Sequence, residues 1–248
     1  MPAGRDFSVI AVQFQPALER VTILRRYKRF LADVRFADGR ELTVHCANPG
    51  SMLTCIGAGW PGLVSRSANP KRELAYSLEF THNGRAWIGV NPVLANRLFE
   101  EAWLSSRGAL FEEISDYQEL RREVQAGGSR LDFELSSGTE RRSCLVEIKS
   151  VSMAKSGRAL FPDSPTDRGR KHLRELMRLA QERRRRAALV FVVQRRDVSH
   201  FEAARSIDPE YATLLGQAPQ AGVALIAVRV RKRANSLKIE DRLPIRLP

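Results

Sequence analysis

The residues best suited to chemistry gather in the stretch SRLDFELSSGTERRSCLVEIKS, residues 129–150. It reads as two short strands joined by a polar turn. The first carries a single Asp, Asp132, between Leu131 and Phe133; the second carries Glu147 and Lys149 in an apolar run of Leu145, Val146 and Ile148. Side chains alternate faces along a strand, so Glu147 and Lys149 share one face while Val146 and Ile148 turn to a core. If the two strands pair, Asp132 joins Glu147 and Lys149. Two carboxylates would then offer oxygens to a hard divalent cation, Mg2+ or Mn2+, with the Ile148 carbonyl as a third donor. Such an ion activates water, and Lys149 would stabilise charge developing on a phosphate. An exposed Glu–Lys pair beside a hairpin Asp accounts for the same residues without any function. Residue types alone leave both readings open.

The charge balance bears on the partner. The chain of 248 residues holds 41 Lys plus Arg against 28 Asp plus Glu, a formal net charge of +13, and Arg far outnumbers Lys. Arginine forks match phosphate oxygens, so the balance favours nucleic acid: DNA, single- or double-stranded, or RNA. Biased codon usage would raise Arg equally well. Three segments are candidate contacts. RRYKRF interleaves Arg25, Arg26, Lys28 and Arg29 with Tyr27 and Phe30. On a barrel strand the cations would track a backbone while an aromatic stacks on a base, or the aromatics enter the core and the cations face solvent. The loop NPGS, with Asn48 and Ser51, is either a plain tight turn or a nest of amides for an anion. After SPTD a helix begins, with Arg168, Lys171 and His172 near its first turn, where free amides suit a phosphate. His172 is a structural histidine or a proton carrier. Arg183 to Arg186 close this helix, where they complement its dipole or contact DNA.

These side chains need scaffolds. Before residue 92 the signals are strands and tight turns: RYKRFLADVRF, Asp38-Gly39, ELTVHC, then ELAYSLEFT, Asn83-Gly84, RAWIGV. Both dipeptides mark hairpins, and about five strands suffice for a small barrel. From Asn91-Pro92 a helix runs to about Trp103. The strand pair of residues 129–150 follows. SPTDRGRKHLRELMRLAQERRRR then reads as a long helix, AALVFVVQ as a central strand, Asp208-Pro209 as a helix start, and VALIAVRV as a further strand. The expected fold is α/β (α+β overall), with a small barrel followed by a mixed sheet flanked by helices. With 43% hydrophobic residues the chain can bury a sizeable core. No stretch approaches the length of a membrane-spanning helix, and MPAGRDFSVIAVQF lacks a signal-peptide layout, so a cytoplasmic protein without membrane contact is expected. Cys46, Cys55 and Cys144 are odd in number and irregular in spacing, as in neither a disulfide framework nor a zinc site. Oligomeric state is not legible, and a homodimer stays open.

Taken in order, RYKRFLADV, VHCANPGSM, SRSANPKREL, AWIGVNPVLANRL, SRLDFEL, CLVEIKSVS, FPDSPTDRGRKHLREL, VFVVQR and IDPEYA resemble the sugar fermentation stimulation protein A family. The resemblance implies an OB-like β-barrel, here residues 1–91, and a PD-(D/E)xK nuclease-like domain, residues 92–248. It also implies DNA binding and a link to sugar-utilisation genes. The nuclease motif falls on Asp132, Glu147 and Lys149, with the acids as metal ligands and the lysine assisting attack. An upstream helical glutamate, Glu101 or its neighbour Glu100, is the candidate for a further ligand. Arg170 departs from the family pattern, which has Gln at that place in RGRKHL. The expectation is a DNA-binding protein with a divalent-metal, nuclease-like site that hydrolyses phosphodiesters. The alternatives are a non-catalytic DNA-binding regulator of sugar metabolism and an RNA-binding protein.

Overall fold

The computed structural model describes residues 12–138, 142–182 and 185–248. A short strand, β1 (Val12–Gln13), precedes β2 (Glu19–Tyr27), β3 (Leu31–Phe36), β4 (Glu41–His45), β5 (Pro61–Arg66), β6 (Tyr76–His82) and β7 (Trp87–Gly89). Helix α1 (Leu94–Leu110) leads to β8 (Glu119–Ala126), β9 (Ser129–Ser136) and β10 (Ser143–Val151). Two short strands, β11 (Ala154–Lys155) and β12 (Arg158–Phe161), precede α2 (Asp167–Ala180). The chain ends with β13 (Arg185–Val193), β14 (His200–Ala203), α3 (Pro209–Gln217), β15 (Val223–Arg233), β16 (Ser236–Arg242) and β17 (Ile245–Arg246).

The first sheet runs β4-β3-β2-β5-β6 and closes on itself where His45 of β4 pairs with Ser77 of β6; β7 adds to β6. This is the expected OB-like barrel. Alternation builds it: Ala32, Val34 and Phe36 of β3 turn inward onto Val21, Val44, Val64 and Leu78. The Asp-Gly and Asn-Gly turns sit where the sequence places them, with Gly39 and Gly84 both at φ 87°, a backbone that glycine adopts without strain. RRYKRF is not a continuous strand. β2 stops at Tyr27, and Lys28 and Arg29, at φ 46° and 62°, make the turn into β3.

The second sheet has the order β1-β16-β15-β13-β10-β9-β8. Its centre, β10-β13-β15, is parallel, and the outer pairings are antiparallel. A parallel centre is covered on both faces, which requires the unbroken apolar run of β13, buried from Ala187 to Val193. On one face α1 sets Leu98, Phe99 and Trp103 against Phe133, Val146 and Val190. On the other, α2 sets Leu173, Leu176 and Leu179 against Leu145, Leu189 and Phe191. Helix α1 continues to Leu110, past the expected end near Trp103. Helix α2 is shorter than the sequence suggests. It ends at Ala180, and Arg185 and Arg186 open β13 instead of closing the helix. The chain must leave the helix there to feed the central strand. Arg183 and Arg184 lie outside the described residues.

β11, β12, β14 and β17 form a third, four-stranded sheet, and the barrel sheet and the seven-stranded sheet meet at the end of β13. Gly89 donates its amide to Gln194 O (2.8 Å), and Gln194 Nε2 reaches Ser150 Oγ (2.6 Å) and Asn91 O (3.2 Å). Arg195, buried, bonds Asp197 twice at 2.7 Å and donates to Ser152 O (3.0 Å), while Asn83 of the barrel holds Asp197 at 2.9 Å. None of the helices among the described residues is long and apolar enough to cross a membrane.

Candidate metal centre

The ladder between β9 and β10 ends at Val146↔Phe133. One step further, the Ile148 amide donates to the side chain of Asp132, Oδ2, at 2.8 Å. The other oxygen, Oδ1, accepts from Asn96 Nδ2 of α1 at 2.8 Å. Asp132 thus interrupts the pairing and stays half-buried at the break, held by two donors.

Glu147 faces α2, opposite Val146 and Ile148, as strand alternation requires. It is buried, at 4% exposure. Its Oε1 takes Lys149 Nζ at 2.6 Å and His172 Nδ1 at 2.5 Å. Its Oε2 is buried and has no hydrogen-bond partner among the described residues. Burial, and then the charge of Glu147, push the Asp132 carboxyl above its ordinary range, so the two acids are close enough to repel. Burial pushes Glu147 up as well, but Lys149 and His172 outweigh it and hold Glu147 below its ordinary range. The centre therefore joins a carboxylate stabilised by two donors, a second carboxylate disfavoured by it, and an ammonium.

Lys149 and Ile148 line a cleft of about 300 Å³. Asn48 to Gly50 of the barrel and Phe161 to Ser164 ahead of α2 form its other walls. Ser51 Oγ donates to Asp163 O at 2.8 Å, and a methyl group on Gly50 would run into the Asp163 carboxylate. The barrel loop and the segment ahead of α2 approach closely at this point, and a larger residue than glycine would make the Asp163 side chain move.

The other expected site residues separate into groups. Glu101 is not brought to Asp132. It pairs with Arg97 (3.7 Å), Glu100 pairs with Arg122, and the α1 residue that reaches Asp132 is Asn96. A helix presents one face to a given strand, and Asn96 occupies it. His172 is buried against Glu147, not on a phosphate-facing surface, because it lies on the α2 face that carries Leu176 and Leu179. Arg26 turns inward to donate to Asn48 O (3.0 Å) and Gly50 O (3.0 Å), so it braces the NPGS loop. Asn48 is buried and its Oδ1 caps the Gly50 amide at 2.8 Å. Arg25 pairs with Asp33 at 2.7 Å and lies over the Tyr27 ring. Lys28, Arg29, Arg168 and Lys171 are exposed, with no ion-pair partner among the described residues. Arg170 is held by Asp208 (2.7 Å), Glu210 (3.2 Å) and Asp167, so its charge is offset within the protein. Asn96 and Tyr211 escaped the sequence reading. Tyr211 is fully buried, its hydroxyl has no hydrogen-bond partner among the described residues, and the charge of Glu147 reaches it. Both residues lie in quoted motifs, AWIGVNPVLANRL and IDPEYA, and polar residues on packed helices were the available signal.

An OB-type barrel closed against a mixed sheet, with an Asp–Glu–Lys cluster where the sheet's ladder breaks, defines a two-domain α/β protein of barrel-plus-sheet type. The chain belongs to the sugar fermentation stimulation protein family. Residues 24–90 match the SfsA N-terminal OB domain, and residues 93–236 match the sugar fermentation stimulation protein RE domain. It is 47% identical over 239 residues to the sugar fermentation stimulation protein homolog of Thioalkalivibrio sulfidiphilus (strain HL-EbGR7), covering 95% of this chain and 98% of that one. It also superposes with a TM-score of 0.84 on the structure of Pyrococcus furiosus SfsA in complex with Ca2+, at 26% identity, covering 95% of this chain and 98% of that one.

Proposed function

We propose that this protein binds nucleic acid, with DNA as the expected partner, and that Asp132 and Glu147 hold a divalent cation at which a phosphodiester is hydrolysed. The observation that carries this reading is Glu147 Oε2, buried and without a donor among the described residues. An unsatisfied buried acceptor is costly, and a cation shared with Asp132 would remove that cost and the repulsion between the two acids. Among the described residues no group of three His, Cys, Asp or Glu forms a ligand set. The donors would be the two carboxylates, the Ile148 carbonyl and water, which suits Mg2+ or Mn2+. The Ca2+ bound by the Pyrococcus furiosus relative supports an oxygen-ligated divalent ion in the family.

Once bound, such an ion supplies Lewis acidity and offsets phosphate charge. The chain's own residues do the rest. Asn96 and the Ile148 amide fix Asp132, and His172 and Lys149 fix Glu147. Lys149, on the cleft wall, offsets charge on a phosphodiester entering from the barrel side. Arg168 and Lys171, exposed and without an ion-pair partner among the described residues, supply cations for the flanking backbone. Three free, buried cysteines accord with a cytoplasmic setting.

The test uses linear, supercoiled, single-stranded and branched DNA, and RNA, with Mg2+ or Mn2+. Cutting is expected to depend on the metal and to be lost in Asp132→Asn and Lys149→Ala. Tight binding with no cutting of any substrate would identify a regulator of sugar-utilisation genes that keeps the fold only to hold DNA.

A further inference from the structure

A second surface carries charge and aromatic rings that the metal centre does not use. One cavity, of about 480 Å³, lies along the barrel and is lined by Arg20 of β2, Arg35 and Phe36 of β3, and His82 and Trp87. A second, of about 210 Å³, shares His82 and Trp87 and adds Arg85, Arg196 and Lys232, the last from β15 of the large sheet. His82 and Trp87 meet edge to face at 4.9 Å. Lys232 Nζ lies 5.4 Å from the centre of the Trp87 ring and 5.6 Å from that of Phe80. The linings of both cavities contain no Asp or Glu. Arg35 and Arg196 are offset by Glu41 and Glu240, but Arg20, Arg85 and Lys232 have no carboxylate partner among the described residues. Burial, and then the charge of Arg20, depress the Lys232 ammonium below its ordinary range, so these like charges are held near one another.

Lys232, partly buried beside a half-buried indole and near Arg20, has no carboxylate partner among the described residues, so an anion bound there would offset its charge. We propose that this groove, running from β2 and β3 across Trp87 to Lys232, binds single-stranded nucleic acid, with phosphates on Arg20, Arg85 and Lys232 and a base on Trp87. A groove of cations lined with ring faces is the arrangement that holds single strands without sequence preference, because every base has a face to stack. A duplex hides those faces. The strand surface of an OB barrel is also where oligonucleotides commonly lie. The inference rests on the nucleic-acid reading above for its choice of polyanion, but not on the metal centre.

The test is fluorescence anisotropy in EDTA, with a labelled oligonucleotide of about 12 nucleotides, as a single strand and as a duplex. The single strand should bind about tenfold more tightly than the duplex. Trp87→Ala should weaken it about tenfold, the effect of losing one stacked base. Arg20→Ala and Arg85→Ala, at exposed positions where folding is not at stake, should each lower the slope of log affinity against log salt by about one. Equal affinity for duplex and single strand, or unchanged salt slopes in both arginine variants, would overturn the proposal. If no substrate is cut with any metal while these variants still lose the single strand, the groove stands and the hydrolytic reading falls. If DNA is cut but the variants bind like the parent, the groove falls and the metal centre stands.

Discussion

Ile148 gives its amide to a side chain where a continued ladder would give it to the neighbouring strand, and that exchange sets the position of Asp132. Asp132→Asn keeps an oxygen for the Ile148 amide, turns an NH2 toward Asn96, whose own amide must then flip to accept, and removes the charge, so metal affinity is read against the melt of the metal-free variant. A ligand that binds only the native state stabilises it by about 2.7 kcal/mol at a hundred times its Kd. Mg2+ or Mn2+ is therefore expected to raise the Tm of the parent in thermal melts and to leave Asp132→Asn unmoved; an equal rise in both would place the cation elsewhere. Asp197 makes a prediction about acid. Although burial opposes it, its bonds to Arg195 and Asn83 hold it down to about 2 from an ordinary 3.8. A folded-state pKa below the unfolded one contributes stability above the unfolded value, and that stability is lost as pH falls through the folded one. Asp197→Asn should thus be less stable than the parent by about 2 kcal/mol at pH 7, and the gap should close between pH 4 and pH 2 in urea titrations.

Among the elements, β9 and β10 were legible because a period-2 apolar pattern with one Asp and a Glu-x-Lys admits few other readings. The barrel hairpins were legible from Asp38-Gly39 and Asn83-Gly84, whose geometry demands those residues. β8 was not: ELRREVQA buries only Val124 and Ala126 at the sheet's edge, so its pattern resembles a solvated loop. The end of α2 was misplaced because QERRRR has good helix formers throughout, and only the need to enter β13 stops it. Of the site, Asp132, Glu147 and Lys149 could be read from strand alternation. Their supports could not, since Asn96 and His172 arrive from helices distant in sequence. Asp208 belongs to this level too. Its carboxylate caps α3 at the Tyr211 amide (2.9 Å), takes the Thr166 amide (2.9 Å) at the start of α2, and pairs with Arg170 (2.7 Å), while 1% exposed. Asp208→Ala leaves those donors unpaired and should cost about 3 kcal/mol in chemical denaturation, with Asp208→Asn, which can still cap, costing less. Since α2 carries His172, the alanine variant should also lower metal affinity.

For the molecule as a whole, the barrel and the sheet meet through polar contacts at Gln194, Arg195 and Ser51, and both present cations with no ion-pair partner among the described residues. Lys28 and Arg29 sit at one barrel turn, Arg20 on a barrel strand, Lys232 on β15, and Arg168 and Lys171 at the start of α2. These lie on both domains, so the net charge of +13 is a field of the joined molecule and not of one element. A protein that neutralises phosphates with such cations releases counterions, and its affinity falls as a power of salt concentration. If about six phosphates are engaged, binding to DNA should weaken about a thousandfold or more between 50 and 200 mM salt. A filter-binding titration across that range measures the exponent. The groove variants should reduce it, whereas Asp132→Asn, which removes a negative charge beside the cleft, should leave it unchanged or steeper. A flat salt dependence would mean that the excess of arginine reflects codon usage alone and that the partner is not a polyanion.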